Sequence, residues 1–231
     1  MSKSNTWEND LMKLLLQNVA ATLIGDAGGL LPSGAAGSLY VSLHTADPGE
    51  AGAQTTSECA YAGYARVAVA RTSGGWTVTS NQGSNTGAVT FGQNTGTAET
   101  ATHFGLGTAS SGGGGKLLYS GELLGPRIVY VADASTDVCT TAAAHGLTDG
   151  QAVRVRNTDG NVPTGLSVGT QYFIRDATST TFKLCTTPGG AAVNITANGD
   201  GTNTVHKDNN VAIGTNITPS FAAGTLIISE D

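Results

Sequence analysis

The sequence predicts a mainly β protein: a β-sandwich or barrel-like host domain with one N-terminal α-helix, and a small all-β domain inserted into it. Three observations predict this. Short apolar–polar alternations recur along the chain, each bounded by Gly, Ser or Asn punctuation. Gly supplies 33 of the 231 residues while charged residues make up only 12%. That mixture suits short strands and tight turns, because Gly and Asn tolerate positive φ and Thr fits a pleated surface. Only one stretch carries a helical period, and a hydrophobic share of 39% is enough for a packed core.

That helix is expected over residues 5–24. Trp7, Leu11, Leu14, Leu15, Val19 and Leu23 fall near the spacing of one apolar face. Asn5 and Glu8 have the spacing of a capping box, and Gly25 can end the helix in the left-handed region. The stripe is expected to bury against a sheet or a neighbouring subunit. From Ser38 the period becomes two: Leu39, Val41 and Leu43 alternate with Tyr40, Ser42 and His44. Further strands are expected over 65–71, 76–80, 88–91, 102–108, 116–122 and 225–229. The SSGGGG run from Ser110 to Gly115 reads as a mobile hairpin tip.

From about Tyr130 to Lys207 the pattern changes. Val153/Val155, Tyr172/Ile174, Phe182/Leu184 and Val193/Ile195 are four alternating pairs, each bounded by turns. They describe a module of about 75 residues, large enough for a marginal core of its own. Beyond it, the last two dozen residues resume the pattern of the N-terminal half. The simplest division is a host domain of residues 1–128 and 208–231 around an inserted domain of 129–207, since insertion at an exposed turn is tolerated when the inserted ends lie close together.

Several blocks carry a resemblance. LYVSLHTADPGEAG, YAGYARVAVARTSGGW, THFGLGTASSGGGGKLLYSGEL and ITPSFAAGTLIISED occur in that order. They resemble a family of small tailed-bacteriophage virion proteins, often labelled tail fibre or minor structural proteins. The segment from AAHGLTDGQAVRV to NGDGTNTVH resembles a small β module inserted in many phage structural proteins. The resemblance implies a virion structural role, assembly in the cytoplasm of a bacterial host, and no catalytic motif to carry over.

The rest of the chain fits that implication. A net charge of −6 without a basic cluster argues against a nucleic-acid groove. No stretch approaches the ~20 apolar residues of a membrane span, and the N-terminus lacks the plan of a signal peptide. Cys59, Cys139 and Cys185 are odd in number with no CxxC spacing, so neither a zinc site nor a disulfide framework is encoded. Cys139 and Cys185 read as two buried thiols rather than a bridge, and Cys59 as an unpaired thiol near the surface.

The strongest chemical candidates are His44, Asp47, Glu50 and Glu58. A strand-end cluster of this kind could hold a metal or run acid–base chemistry. Asp47-Pro48-Gly49 is also a turn sequence in its own right, and no second His stands at a ligand spacing. The turn reading is preferred. Ser42 or Ser57 with His44 or His103 has the residue types of a hydrolytic pair, but no GxSxG elbow accompanies them. The GGGG before Lys116 lacks the context of a phosphate loop. His145, beside Asp149-Gly150, reads as a turn histidine bonded to a backbone carbonyl, with a sugar-binding loop as the functional alternative. Trp7, Trp76, Tyr61 and Tyr64 read as core and interface anchors.

The expected function is therefore non-enzymatic, with no cofactor and no metal. The chain reads as a capsid-surface decoration or cement protein whose inserted domain projects outward. The alternative is a tail-associated protein (fibre, fibre anchor or minor tail protein) that attaches to the tail or recognises the host surface. Absence of a long repeat favours the first. Partners would be major capsid or tail proteins and further copies of the chain, with a host-surface glycan possible through the inserted domain. Candidate contact residues are Trp7, Leu11, Leu14, Leu15, His44, Asp47 and Glu50. An edge strand adding to a neighbour's sheet would serve as well.

Overall fold

The computed structural model describes residues 3–25 and 29–229. The ends assigned to the host domain, 1–2 and 230–231, lie outside the described residues, as do 26–28. The chain is mainly β, and it forms two compact units: Met1–Glu122 with Asn210–Asp231, and Leu123–Asn209.

In chain order the first unit contains α1 (Asn5–Met12), continued by a π-helical turn (Lys13–Gln17), then β1 (Ser38–His44), β2 (Val67–Ala70), β3 (Trp76–Thr79) and β4 (Gln82–Asn85). β5 (Val89–Thr90), β6 (Glu99–Ala101), β7 (His103–Gly107) and β8 (Leu117–Glu122) follow. The second unit holds β9 (Leu124–Val129), β10 (Val131–Asp133), β11 (Val138–Thr140), β12 (Ala152–Thr158), β13 (Gln171–Arg175), β14 (Thr181–Cys185) and β15 (Thr202–Asp208). The chain then returns to the first unit with β16 (Val211–Ile213), β17 (Ser220–Phe221) and β18 (Ile227–Ser229).

The first unit is a set of small antiparallel sheets, ordered β2-β1-β7-β8, β18-β4-β3, β16-β6 and β17-β5. The three returning strands each pair with a strand from the N-terminal segment, so the unit is completed only when the C-terminal segment comes back. Two buried asparagines hold that segment. Asn85 Nδ2 donates to Ala222 O at 2.8 Å, and its Oδ1 accepts from Leu226 N at 2.9 Å. Asn94, fully buried, donates to Ile213 O at 2.8 Å and to Thr97 O at 2.9 Å, and accepts from Gly96 N at 2.7 Å. A row of rings, Tyr61–Tyr64–Phe91–Phe221–Phe104, runs through this core with neighbouring centroids 5.3–6.3 Å apart.

The helix differs from expectation at both ends. Its N-cap is Ser4, whose Oγ accepts from Trp7 N at 3.4 Å, not Asn5. It stops at Gln17 rather than residue 24, because Asn18 takes the left-handed conformation (φ 56°) that Asn tolerates. Arg71 covers the open carbonyls: its Nε donates to Leu15 O at 2.7 Å and its Nη2 to Leu14 O at 2.8 Å. The buried stripe is Glu8, Met12 and Leu16. Trp7, Leu11, Leu14 and Leu15 are only half-buried, and Val19 and Leu23 lie beyond the helix and are exposed. Met12 and Leu16 sit directly on Gly83, where any Cβ would collide with both.

The second unit closes on itself. Its sheet runs β10-β11-β14-β13-β12-β15-β9, all antiparallel. β9 and β10, at its two ends, are one run of chain interrupted only at Tyr130. The seven strands therefore form the six staves of a barrel, joined where β9 pairs with β15 and β10 with β11. Tyr130, Val153, Val155, Tyr172, Ile174, Phe182, Leu184 and Val205 fill its interior. Three of the four expected pairs lie on staves. The fourth does not: Val193 and Ile195 follow a single bridge at Ala192, and the missing stave is β15.

Candidate functional site

β1 ends in the chain's strongest chemical cluster, and the structure divides that cluster in two. Ser42 and His44 point to the same side of β1, and both are fully buried. Ser42 Oγ lies 2.8 Å from His44 Nε2, and His44 Nδ1 lies 2.8 Å from Thr56 O. A carbonyl can only accept, so Nδ1 carries the proton and Ser42 donates to Nε2. Space for the pair comes from Gly105, directly opposite Ser42 on β7. A Cβ there would stand 2.5 Å from His44 Nε2 and 2.6 Å from Ser42 Oγ. Burial lowers the His44 pKa, outweighing its bond to Thr56, so the ring stays neutral.

This is the hydroxyl–imidazole–acceptor order of a hydrolytic pair, built from the residue types that the sequence singles out. It differs from one in access: with both side chains fully buried, no substrate carbonyl can reach Ser42 Oγ. Ser57, in a left-handed turn (φ 52°), and His103, whose Nδ1 is 2.8 Å from Thr102 Oγ1, take no part in the pair.

Glu58 belongs to a neighbouring network. Arg66 grips it with two bonds, Nε to Oε1 at 2.7 Å and Nη2 to Oε2 at 2.8 Å. Tyr64 OH donates to Oε1 at 2.9 Å and accepts from Leu43 N at 3.1 Å. The remaining Arg66 donors reach Ala109 O at 2.9 Å and Gly112 O at 3.0 Å. Buried Gln54 accepts from Ala109 N at 2.9 Å. The SSGGGG connection between β7 and β8 is thus held at its base, Ala109, and at Gly112. Sequence spacing gives no sign of this, because Arg66 lies more than forty residues from the carbonyls it holds.

Asp47 and Glu50 are exposed and stand apart from His44. Asp47 Oδ1 accepts from Gly49 N at 2.9 Å, and Gly49 has φ +70°, which is a turn stabilised by its own side chain. No group of three or more His, Cys, Asp or Glu is placed to hold a metal among the described residues. His44, being fully buried, drops out of the candidate contact residues. Trp7, Leu11, Leu14 and Leu15 retain part of their surface, and Asp47 and Glu50 most of it.

The other candidates are also absorbed by structure. His145 accepts from Leu147 N at 2.9 Å, places Nε2 3.2 Å from Thr181 O, and meets Phe182 edge-on. All three cysteines are free and buried, Cys59 included, which corrects its placement near the surface. Burial, with Glu99 close by, pushes the Cys59 thiol up to about 12; burial pushes Cys139 up to about 12 as well. Cys139 pairs across from Phe182, and the Cys185 thiol donates to Phe173 O at 3.3 Å. Trp76 is fully buried, and no helix is long and apolar enough to cross a membrane.

Comparison with known proteins adds one finding. No curated protein matches the chain. A family model described as podophage GP4 fiber I protein gp80 matches residues 2–139, more than half of the 231. The match covers all but the first residue of the Met1–Glu122 stretch of the first unit and continues into β11. This chain therefore belongs to the gp80 family of podophage fibre proteins.

Proposed function

We propose that the protein is a non-enzymatic structural component of a tailed-phage particle, held there by contacts with neighbouring virion subunits. The observation that carries this reading is the fate of its chemical side chains. Ser42, His44, Glu58 and Arg66 are spent on buried links between strands and loops, and the acids left outside make turns. A protein that uses its reactive groups this way works as a scaffold.

The fibre description of the family supports the tail-associated reading over the capsid-surface one, and we adopt it. The preference for a decoration protein rests on the absence of a long repeat, which argues against a fibre shaft but not against a compact fibre component. The sheet of the second unit begins and ends on one run of chain, which leaves little edge to add to another sheet and favours recognition through loops, or spacing. Mass spectrometry of purified particles, with gold labelling of the protein, tests this. Copies at the tail support the reading. Absence from particles overturns it, and copies on the head restore the decoration reading.

A further inference from the structure

The chain leaves the first unit once and returns to it once. Between Glu122 and Asn210 it builds the whole second unit. That unit closes with its own bonds: β9 pairs with β15, and Asn209 N donates to Leu123 O at 2.9 Å. Its first and last residues are therefore held side by side by the barrel itself. The barrel core, from Tyr130 to Val205, draws on no residue of the first unit.

The first unit lacks this independence. β16, β17 and β18 are separate short strands, and they pair with β6, β5 and β4 rather than with one another. The returning segment docks through bonds at wide sequence separation. Asn216 N donates to Asn94 O at 2.7 Å, and Leu226 N to Asn85 Oδ1 at 2.9 Å. Each of these bonds closes a loop that contains the entire second unit. A flexible chain of about ninety residues is about a hundredfold harder to close than one of about four. A folded barrel removes that difference, because it presents Leu123 and Asn209 already joined.

We propose that the second unit is the clasp of the first: its folding closes the chain, so that the 210–229 segment docks firmly only once the barrel has formed. The coupling acts through chain connectivity. It is reciprocal, so docking of the segment steadies the barrel by the same factor. The consequence concerns assembly. In a chain whose barrel is unfinished, β4, β5 and β6 lack these partner strands, and their hydrogen-bonding edges are open. Only a chain with a finished barrel offers neighbouring subunits a complete first unit. This goes beyond the structural role proposed above and holds wherever on the particle the protein sits.

The test is native-state hydrogen exchange on the full chain, read at the Asn216 and Leu226 amides. A flexible Gly-Ser insert of about forty residues between Glu122 and Leu123 leaves the barrel intact and lengthens only the join; exchange at both amides is expected to speed about thirtyfold. A second chain carries Phe182→Asp, which puts a charge in the barrel core and unfolds it. There the expected acceleration is about a hundredfold. Leu124 and Asp208 are cross-strand partners, so Leu124→Cys and Asp208→Cys can be joined by a disulfide in that second chain, with Cys139 and Cys185 replaced by alanine. Oxidation is expected to restore most of the protection, and reduction to remove it again. Unchanged exchange in the chain with the insert overturns the proposal, whatever becomes of Phe182→Asp. So does a disulfide that restores nothing, because the barrel then acts by something other than closure. An acceleration far above about a hundredfold with the insert overturns it too, since closure supplies no more than that.

Discussion

The Asn209 amide donates to the Leu123 carbonyl at 2.9 Å, so the barrel unit begins and ends at one hydrogen bond. In the chain on either side of this pair, β8 ends at Glu122 and β16 begins at Val211. The first and last residues of the second unit are therefore adjacent, and on this ground we propose that the unit is an inserted domain.

Removing residues 123–209 and joining Glu122 to Asn210 through a short Gly-Ser link is expected to leave the first unit folded. Its circular dichroism should keep a β signature and its thermal transition should remain cooperative. Loss of that transition would show that the first unit depends on the barrel.

Asn94→Ala is expected to destabilise the first unit by about 2–4 kcal/mol, because it strands the buried Ile213 and Thr97 carbonyls and the Gly96 amide. The returning segment should then become sensitive to limited proteolysis between residues 210 and 229. A variant as stable and as resistant as the parent would mean that strand pairing alone holds the segment.

His44 makes stability depend on pH with a known sign. Its pKa is lowered by burial, so below about 6.5 the unfolded chain binds a proton that the folded chain refuses. Its contribution is complete above that value and is lost as pH falls toward the folded pKa. Melting temperature should drop on acidification from neutral pH, and part of the slope should vanish in His44→Asn. Equal slopes for the two proteins would show that His44 does not set the pH dependence.

The three thiols are expected to ignore a disulfide reagent in the native state and to react fully in guanidinium. Each is buried, and for Cys59 and Cys139 the thiolate is further disfavoured by pKa values near 12. Rapid reaction of any one in the folded protein would contradict its burial.

Sequence reveals the strands that alternate and hides those that do not. β1, reading SLYVSLH, is plain; β4, reading QGSN, has no apolar residue yet lies at the centre of its sheet, because Gly83 makes room for Met12 and Leu16. β15, reading TNTVHKD, has one apolar side chain facing the barrel core, so alternation points to Val193–Ile195 in its place. The expected helix is too long because apolar spacing continues past Asn18, whose left-handed turn periodicity does not register. The candidate site is legible in its residue types only. That Ser42 and His44 can bond each other is legible in their i, i+2 placement on one strand face, but the space for the pair comes from Gly105, which is distant in sequence.

The central claim is that this fibre-family chain is a tail-associated structural subunit. Gold-labelled antibody on intact particles, viewed by electron microscopy, tests it most directly. A tail-associated subunit predicts label at the tail; label confined to the head, or particles without the protein, would contradict it.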